Sequence, residues 1–350
     1  MTRSWHWAAL LFFLAATASI GAASFPRFAL REYRTDIVEP LVFAGLVVLV
    51  RPRPKLMLDF LLAGGMIAAL VGFAQLTRGQ GIHAEGVVRM VGIYRSPDNL
   101  GLYLGRMAPL AAAFALLLPA GRGQRAAYGA AAAVMLAAVA LTFTRGAWLG
   151  SFVGLLVVGA FAGRRWLSVV LLAGAGSAAG ASLIQAKRVR SLFDFAPGTT
   201  GFSRLELWRA TAAMIRDHPI FGVGLDNFLY QYPRYVLALA RNEPDLSHPH
   251  DLILDFWSRI GIFGLAALAW LEVAFFRCAL ELARSGDGLV RCLAVGLMGS
   301  MADALVHGLV DNSYFLPDLS LVFWLSFALV QVLAVAPKTT PRRPGRGYFL

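Results

Sequence analysis

Residues 126–162 read AAYGAAAAVMLAAVALTFTRGAWLGSFVGLLVVGAFA, with Arg145 as the one charged residue among them. An α-helix needs about 20 apolar residues to cross a hydrocarbon core of roughly 30 Å. The stretch therefore reads as two consecutive spans, 126–144 and 147–162, that meet at Arg145. Arg122 and Arg125 precede the pair, and Arg164 and Arg165 follow it. Working outward, further apolar runs fall at 5–24, 37–50, 56–76, 99–120, 166–184, 252–276, 289–310 and 317–336. The whole chain is 58% hydrophobic and 15% charged, with a mean hydropathy of +0.64. A soluble domain carries roughly 45–50% apolar and about 25% charged residues. The predicted fold class is all-α: a polytopic helical membrane protein with about 10 transmembrane helices. The runs at 37–50 and 147–162 are short, so they must sit untilted or borrow flanking residues.

Basic clusters set the orientation. Arg3; Arg51, Arg53 and Lys55; Arg122 and Arg125; Arg164 and Arg165; Arg277 and Arg284; and Lys338, Arg342, Arg343 and Arg346 all fall on one side of the alternating spans. The positive-inside bias makes that side cytoplasmic, with both termini there. The first run ends in Gly21-Ala22-Ala23-Ser24 and also resembles a cleavable signal peptide. It is read here as a retained helix 1; cleavage would leave nine helices and the same remaining topology. A single membrane domain then divides into helices 1–7 (1–184), a large extracytoplasmic loop (185–251), helices 8–10 (252–336) and a basic cytoplasmic tail (337–350). Inside the loop, Ser203-Arg204-Leu205-Glu206 reads as a capping box. It predicts a helix over 204–216 with an apolar face of Leu205, Trp208, Ala212 and Ile215. His218-Pro219 stops that helix, and Gly222-Val223-Gly224 supplies a turn.

The net charge is +12, and all but three of the 32 basic residues are arginine. Arginine binds phosphate bidentately and stays charged when partly desolvated. Arg78, Arg89, Arg95, Arg145, Arg204, Arg209, Arg216, Arg234 and Arg241 sit on the outer side, where short loops are normally poor in basic residues. Arg89, Arg95 and Arg145 lie in short loops and stand out most. Lys187, Arg188 and Arg190 read as anchors at a helix end. No nucleic-acid partner is expected from this distribution. Cys278 and Cys292 lie in or beside apolar runs, which argues against a disulfide framework.

His248-Pro249-His250 closes the outer loop. Two imidazoles with only Asp245 and Asp251 as nearby carboxylates make a poor ligand set, so no metal and no cofactor is expected. Asp251 either orients His250 or caps the following helix. Arg106, about two turns into a span, must snorkel or face the site. Asp303, His307 and Asp311 recur every four residues on one helical face, as support for the outer site, a packing network or a proton path. The last option keeps a different class open, a membrane transporter or lipid flippase; a membrane subunit that only binds a lipid-linked glycan is a further alternative.

Four stretches in order carry a family resemblance: Arg89 to Leu110 with Gly92-Ile93-Tyr94-Arg95-Ser96-Pro97-Asp98-Asn99; Thr142-Phe143-Thr144-Arg145-Gly146-Ala147-Trp148; Arg204 through Trp208 to Pro219 and Gly222-Val223-Gly224; and His248-Pro249-His250-Asp251 with Gly261-Ile262-Phe263-Gly264-Leu265. The chain resembles the O-antigen ligase and O-antigen polymerase superfamily over roughly 85–330. The resemblance implies a GT-C-like architecture in the bacterial inner membrane. It implies a metal-independent glycosyltransferase that moves a glycan from an undecaprenyl-diphosphate carrier to an acceptor hydroxyl on the periplasmic face. Lipid A core or another glycan would be the acceptor, with membrane lipids as surroundings; a polymerase of the same superfamily is the alternative. Arg145 and Arg204 match the positions of the family's essential arginines. A neutral histidine suits the task of taking the hydroxyl proton, and His250 is the candidate base. Direct attack of this kind inverts the anomeric centre. Arg89, Arg95, Asn99, Arg209, His248, Asp251 and Asp311 are the candidate substrate-binding residues. Two departures from the family pattern are Asp251, where Asn is common, and Thr142, where Ser is more usual.

Overall fold

The computed structural model describes residues 4–84, 86–184, 200–236 and 246–335. Lys187, Arg188, Arg190, Arg241, Asp245 and the basic tail, all singled out above, lie outside the described residues. Every predicted apolar run contains a helix. These are α1 (Ser4–Ile20), α3 (Glu39–Val50), α4 (Pro54–Leu76), α5 (Pro97–Leu117), α6 (Arg122–Leu141), α7 (Arg145–Ala162), α8 (Arg164–Ile184), α11 (Leu252–Ser285), α12 (Gly288–Gly308) and α13 (Pro317–Val335). Seven of them, α4 to α7 and α11 to α13, are long and apolar enough to cross a membrane. The chain is an all-α polytopic membrane protein.

The short run at 37–50 borrows upstream residues. α2 (Pro26–Glu32) continues through a π-helical turn (Tyr33–Val38) directly into α3. Pro26 sits at the start of α2, where its missing N–H costs nothing. A two-stranded hairpin, β1 (Ile82–Ala84) and β2 (Val87–Arg89), is the small departure from an all-helical reading.

α5, α12 and α13 form the buried centre, while α4 and α6 lie at the periphery. Glycines let the central helices approach closely, as lipid gives no hydrophobic drive for helix association. A Cβ added at Gly154 on α7 would stand 2.6 Å from Gly299 O on α12 and 2.6 Å from Pro109 of α5. Arg106 of α5 does not snorkel. It is buried and donates to Leu319 O (3.1 Å) and to Ser313 O, which ties α5 to the connection between α12 and α13. Phe12 of α1 packs on Phe256, Tyr314 and Trp324.

The outer loop's helix starts earlier than predicted. α9 spans Thr200–Asp217, so Ser203 lies inside it and caps nothing. Glu206 instead turns inward, buried, and pairs with Arg209. The buried apolar face is Leu207, Ala210, Met214 and Ile215; of the predicted face Ile215 is buried, Leu205 and Trp208 are half-buried and Ala212 is exposed. The face is shifted from the predicted one because the helix packs on the chain's own segment over 223–236, not on an open surface. α10 (Phe228–Gln231) and a 3-10 turn (Tyr232–Arg234) complete that segment.

α11 is broken at Gly261, whose φ of 72° and ψ of −173° interrupt the helix. The break frees backbone groups that the Gly222-Val223-Gly224 turn satisfies. Val223 N donates to Ser258 O (2.7 Å), Gly224 N to Arg259 O (3.1 Å), and Ile262 N to Pro219 O (3.1 Å). Contact is so close that a Cβ at Gly261 would stand 1.9 Å from Ile220 O. Two glycine-bearing stretches separated by about forty residues thus interlock, and the interlock anchors the loop to the bundle.

Candidate functional site

His248 and His250 lie between α10 and α11, and the chain around them is pinned at three points. Ser247 O accepts from Arg259 Nη2 (3.0 Å), Pro249 O accepts from Trp208 Nε1 (3.1 Å), and Asp251 Oδ1 accepts from Leu254 N (2.8 Å). Between the last two anchors, His250 adopts a left-handed φ of 51°, a conformation that non-glycine residues hold only when their surroundings demand it. Asp251 is therefore the N-cap of α11. Burial raises its carboxyl above the usual range, against the Leu254 and Ile253 amides that favour its ionised form. Of the two roles expected for it, the structure shows the helix cap.

Asp311 orients His250 instead. After α12 ends at Gly308, the chain turns so that Asp311 Oδ1 lies 2.9 Å from His250 Nδ1 and 3.6 Å from His248 Nε2. His248 Nε2 stands 3.2 Å from His250 Nδ1, and Ser247 Oγ is 3.0 Å from His248 Nδ1. The Asn312 amide donates to the same Asp311 oxygen at 2.8 Å. Burial would raise the Asp311 carboxyl, yet the hydrogen bonds and charge of His248 and His250 hold it well below the ordinary carboxylate range. A carboxylate can only accept, so a His250 ring that donates from Nδ1 to Asp311 keeps its lone pair on Nε2 when it is neutral. The imidazole is 28% exposed, which leaves it open to a substrate.

His307, one turn before Asp311, places Nε2 4.0 Å from Asp311 Oδ2. It is fully buried, and neither ring nitrogen has a hydrogen-bond partner. Gly146 makes room for it, since a Cβ there would stand 2.5 Å from His307 Cδ2. This contact brings the start of α7, with Arg145 as its first and exposed residue, against the histidine cluster. Arg204 and Asp98 lie within electrostatic reach of His307 as well. Asp303 is buried further down the same face, against Gly105 and Gly150.

Arg89 is engaged internally. Its Nε donates to Thr142 O (2.8 Å), and its Nη2 donates to Asp98 Oδ1 (2.9 Å) and Thr144 Oγ1 (3.0 Å). Thr144 Oγ1 donates in turn to Asp98 (2.8 Å). This clamp ties Arg89 to the turn before Arg145. Arg209 is committed in part to Glu206. Arg95 is exposed and Asn99 half-buried at the start of α5, on the same end of the bundle.

Sequence reasoning missed Trp208 and Arg259 as supports. Arg259 is buried among Asp255 (Nε to Oδ1, 2.6 Å) and Glu32 (Nη1 to Oε1 and Oε2, 2.6 and 2.8 Å), with its guanidinium 4.8 Å from the Phe315 ring centroid. The signal was present: an Asp and an Arg four apart inside an apolar run are costly unless something uses them.

No curated sequence matches the chain. Residues 130–269 match the family model described as O-antigen ligase. That match takes in the start of α7, the α9 helix, the His-Pro-His turn and the break in α11, while His307 and Asp311 lie beyond it. The central part of this polytopic membrane protein is thus similar to the O-antigen ligase family over residues 130–269.

Proposed function

We propose that the protein is a ligase-like glycosyltransferase that moves a glycan from an undecaprenyl-diphosphate carrier to an acceptor hydroxyl. The observation that carries this reading is the His250–Asp311 pair, at 2.9 Å, whose histidine lies in the stretch that matches the O-antigen ligase family model. In the mechanism, Nε2 of His250 takes the proton of the acceptor hydroxyl as its oxygen attacks the anomeric carbon. The bond to the diphosphate breaks on the opposite face, so the configuration inverts. Negative charge grows on the departing diphosphate, and Arg145 and Arg204 stabilise it. The N-terminus of α7, from which Arg145 projects, adds oriented amides suited to the same anion. Arg95 and Asn99 extend the donor site. The end of the bundle bearing this cluster faces the periplasm, in a protein of the inner membrane with both termini cytoplasmic.

The test uses purified full-length protein, a lipid-diphosphate oligosaccharide and, in separate arms, lipid A core or a second lipid-linked glycan. Product should form in EDTA, and product in the second arm alone would make the protein a polymerase. General base catalysis contributes about 10²–10⁴-fold. His250→Ala is expected to lose turnover by that order while keeping its elution profile and melting temperature. Full turnover in that variant would exclude His250 as the base. Gradient-driven movement of the glycan without a new glycosidic bond would make the protein a transporter.

A further inference from the structure

The three donor atoms of His248, His250 and Asp311 surround a common point. Their separations are 2.9, 3.2 and 3.6 Å. Ligand atoms held about 2.0–2.1 Å from a tetrahedral zinc ion stand roughly 3.3–3.4 Å from one another, so the triangle has the size of one face of such a site. The donors suit the ion as well, since two imidazole nitrogens and a carboxylate oxygen favour zinc-class metals over magnesium or calcium.

Hydrogen bonding satisfies the triangle poorly. With the proton on His250 Nδ1, Asp311 is well served, and His248 Nε2 must share the same proton or turn its lone pair on the other acceptors. With the proton on His248 Nε2, the lone pair of His250 Nδ1 faces the carboxylate at 2.9 Å. With protons on both nitrogens, the two rings compete to donate to the same Asp311 oxygen, at 2.9 and 3.6 Å. A cation at the centre suits all three atoms at once. A second, independent feature is His307, wholly buried with neither ring nitrogen engaged and 4.0 Å from the other Asp311 oxygen. A shift of about 1 Å would bring it within hydrogen-bond distance of that oxygen, the usual support for a ligating carboxylate.

We propose that His248, His250 and Asp311 form a site for a zinc-class divalent ion, and that occupancy switches glycan transfer off. The inhibitory half rests on the base assignment made above. A metal takes the lone pair of His250 Nδ1, which puts the ring's one remaining proton on Nε2. That nitrogen then has nothing with which to accept the acceptor's proton. The exposed sides of His248 and His250, 22% and 28%, give an ion a route in from water.

The experiment titrates untagged, detergent-purified full-length protein with cobalt(II) and follows the visible absorption of four-coordinate cobalt. One saturable equivalent is expected, displaced by zinc. His248→Gln and Asp311→Asn should weaken binding by at least roughly ten-fold, the lower bound for losing even an outer partner of a metal ligand. His218→Gln, at the exposed end of α9, should leave binding unchanged. Absence of saturable binding, or binding that persists undiminished in both site variants, overturns the metal site. Transfer is then assayed with zinc and with zinc plus EDTA, and loss followed by full recovery is expected. If transfer proceeds undiminished at saturating zinc, the switch is wrong while the transferase reading stands. If cobalt binds as described but the metal-free protein makes no product, the site stands and the metal-free transferase reading fails.

Discussion

His250 meets Asp311 through Nδ1, and that contact decides which nitrogen is left for chemistry. Asp311→Asn replaces an acceptor-only group by an amide whose NH2 can donate to Nδ1, which favours the wrong tautomer. Turnover is expected to fall by about 10²-fold or more, within the range of general base catalysis, with a smaller change in donor binding. Steady-state kinetics at saturating donor would check this, and an unchanged kcat would disconnect Asp311 from the base. The same carboxylate contributes to stability in a defined direction. Its folded pKa lies below the unfolded value, so the contribution is present above about pH 4 and is lost as pH falls through the lower folded value. The melting-temperature gap between wild type and Asp311→Asn should therefore be wide at neutral pH and close under strong acid. Trp208 acts on the neighbouring backbone. Trp208→Phe deletes the bond to Pro249 O, worth about 1 kcal/mol, and should lower turnover several-fold while the melting temperature moves little. A large melting shift with unaltered turnover would make Trp208 a packing residue only.

The broken helix α11 is the element on which the site hangs. Its first segment carries Asp251 as cap and Asp255 and Arg259 as tethers to Glu32 and Ser247, while the second descends through the bundle. Gly261 makes the change of direction in a conformation that L side chains rarely adopt, against a backbone that leaves no room for a Cβ. Gly261→Ala is expected to destabilise the folded protein by more than about 1 kcal/mol, the penalty typical of a side chain forced into the left-handed region. Thermal unfolding in detergent measures it, and a melting temperature equal to wild type would show that the interlock with 219–224 is dispensable. The positions of the helices were legible in the sequence because a span must be apolar and about 20 residues long; ten runs hold helices, and seven of these are long and apolar enough to cross among the described residues. The break at Gly261 was not, since a glycine within an apolar run looks the same whether the helix continues or stops there.

At the level of the whole molecule, α1 and the outer loop are joined into one structure. Phe25 N donates to Asn227 Oδ1 (2.8 Å), Gln231 Nε2 to Ser24 Oγ (2.6 Å), and Arg31 pairs with Asp226 (2.5 Å). Removal of a signal-like segment would strip Phe12 from the aromatic cluster at the bundle's centre and Ser24 from Gln231. Intact mass of the purified protein is expected to include residues 1–24, and a mature N-terminus beyond Ser24 would overturn retention of helix 1. Sidedness is checked in the same way. With Cys278 and Cys292 replaced, a single cysteine at Ile220 should react with an impermeant thiol reagent added to cells, and one at Gly123 only after lysis. The reverse pattern would invert the topology.

Hydropathy by itself determined that this chain is a bundle of membrane helices, because the cost of exposing backbone polar groups to lipid permits little else. The ordered motifs also pointed to the family and to His250, whose chemistry is written in its residue type. Tertiary structure alone decided who stands beside it. Asp311 lies 61 residues downstream, in what reads as the last rung of a helical stripe, and only the turn after Gly308 swings it onto both histidines. Asp251, the nearer carboxylate in sequence, is spent on a helix cap, and Arg89, the conspicuous outer arginine, on a clamp. Local sequence reports which groups are present, whereas the partner of a side chain is set by packing between elements far apart in the chain.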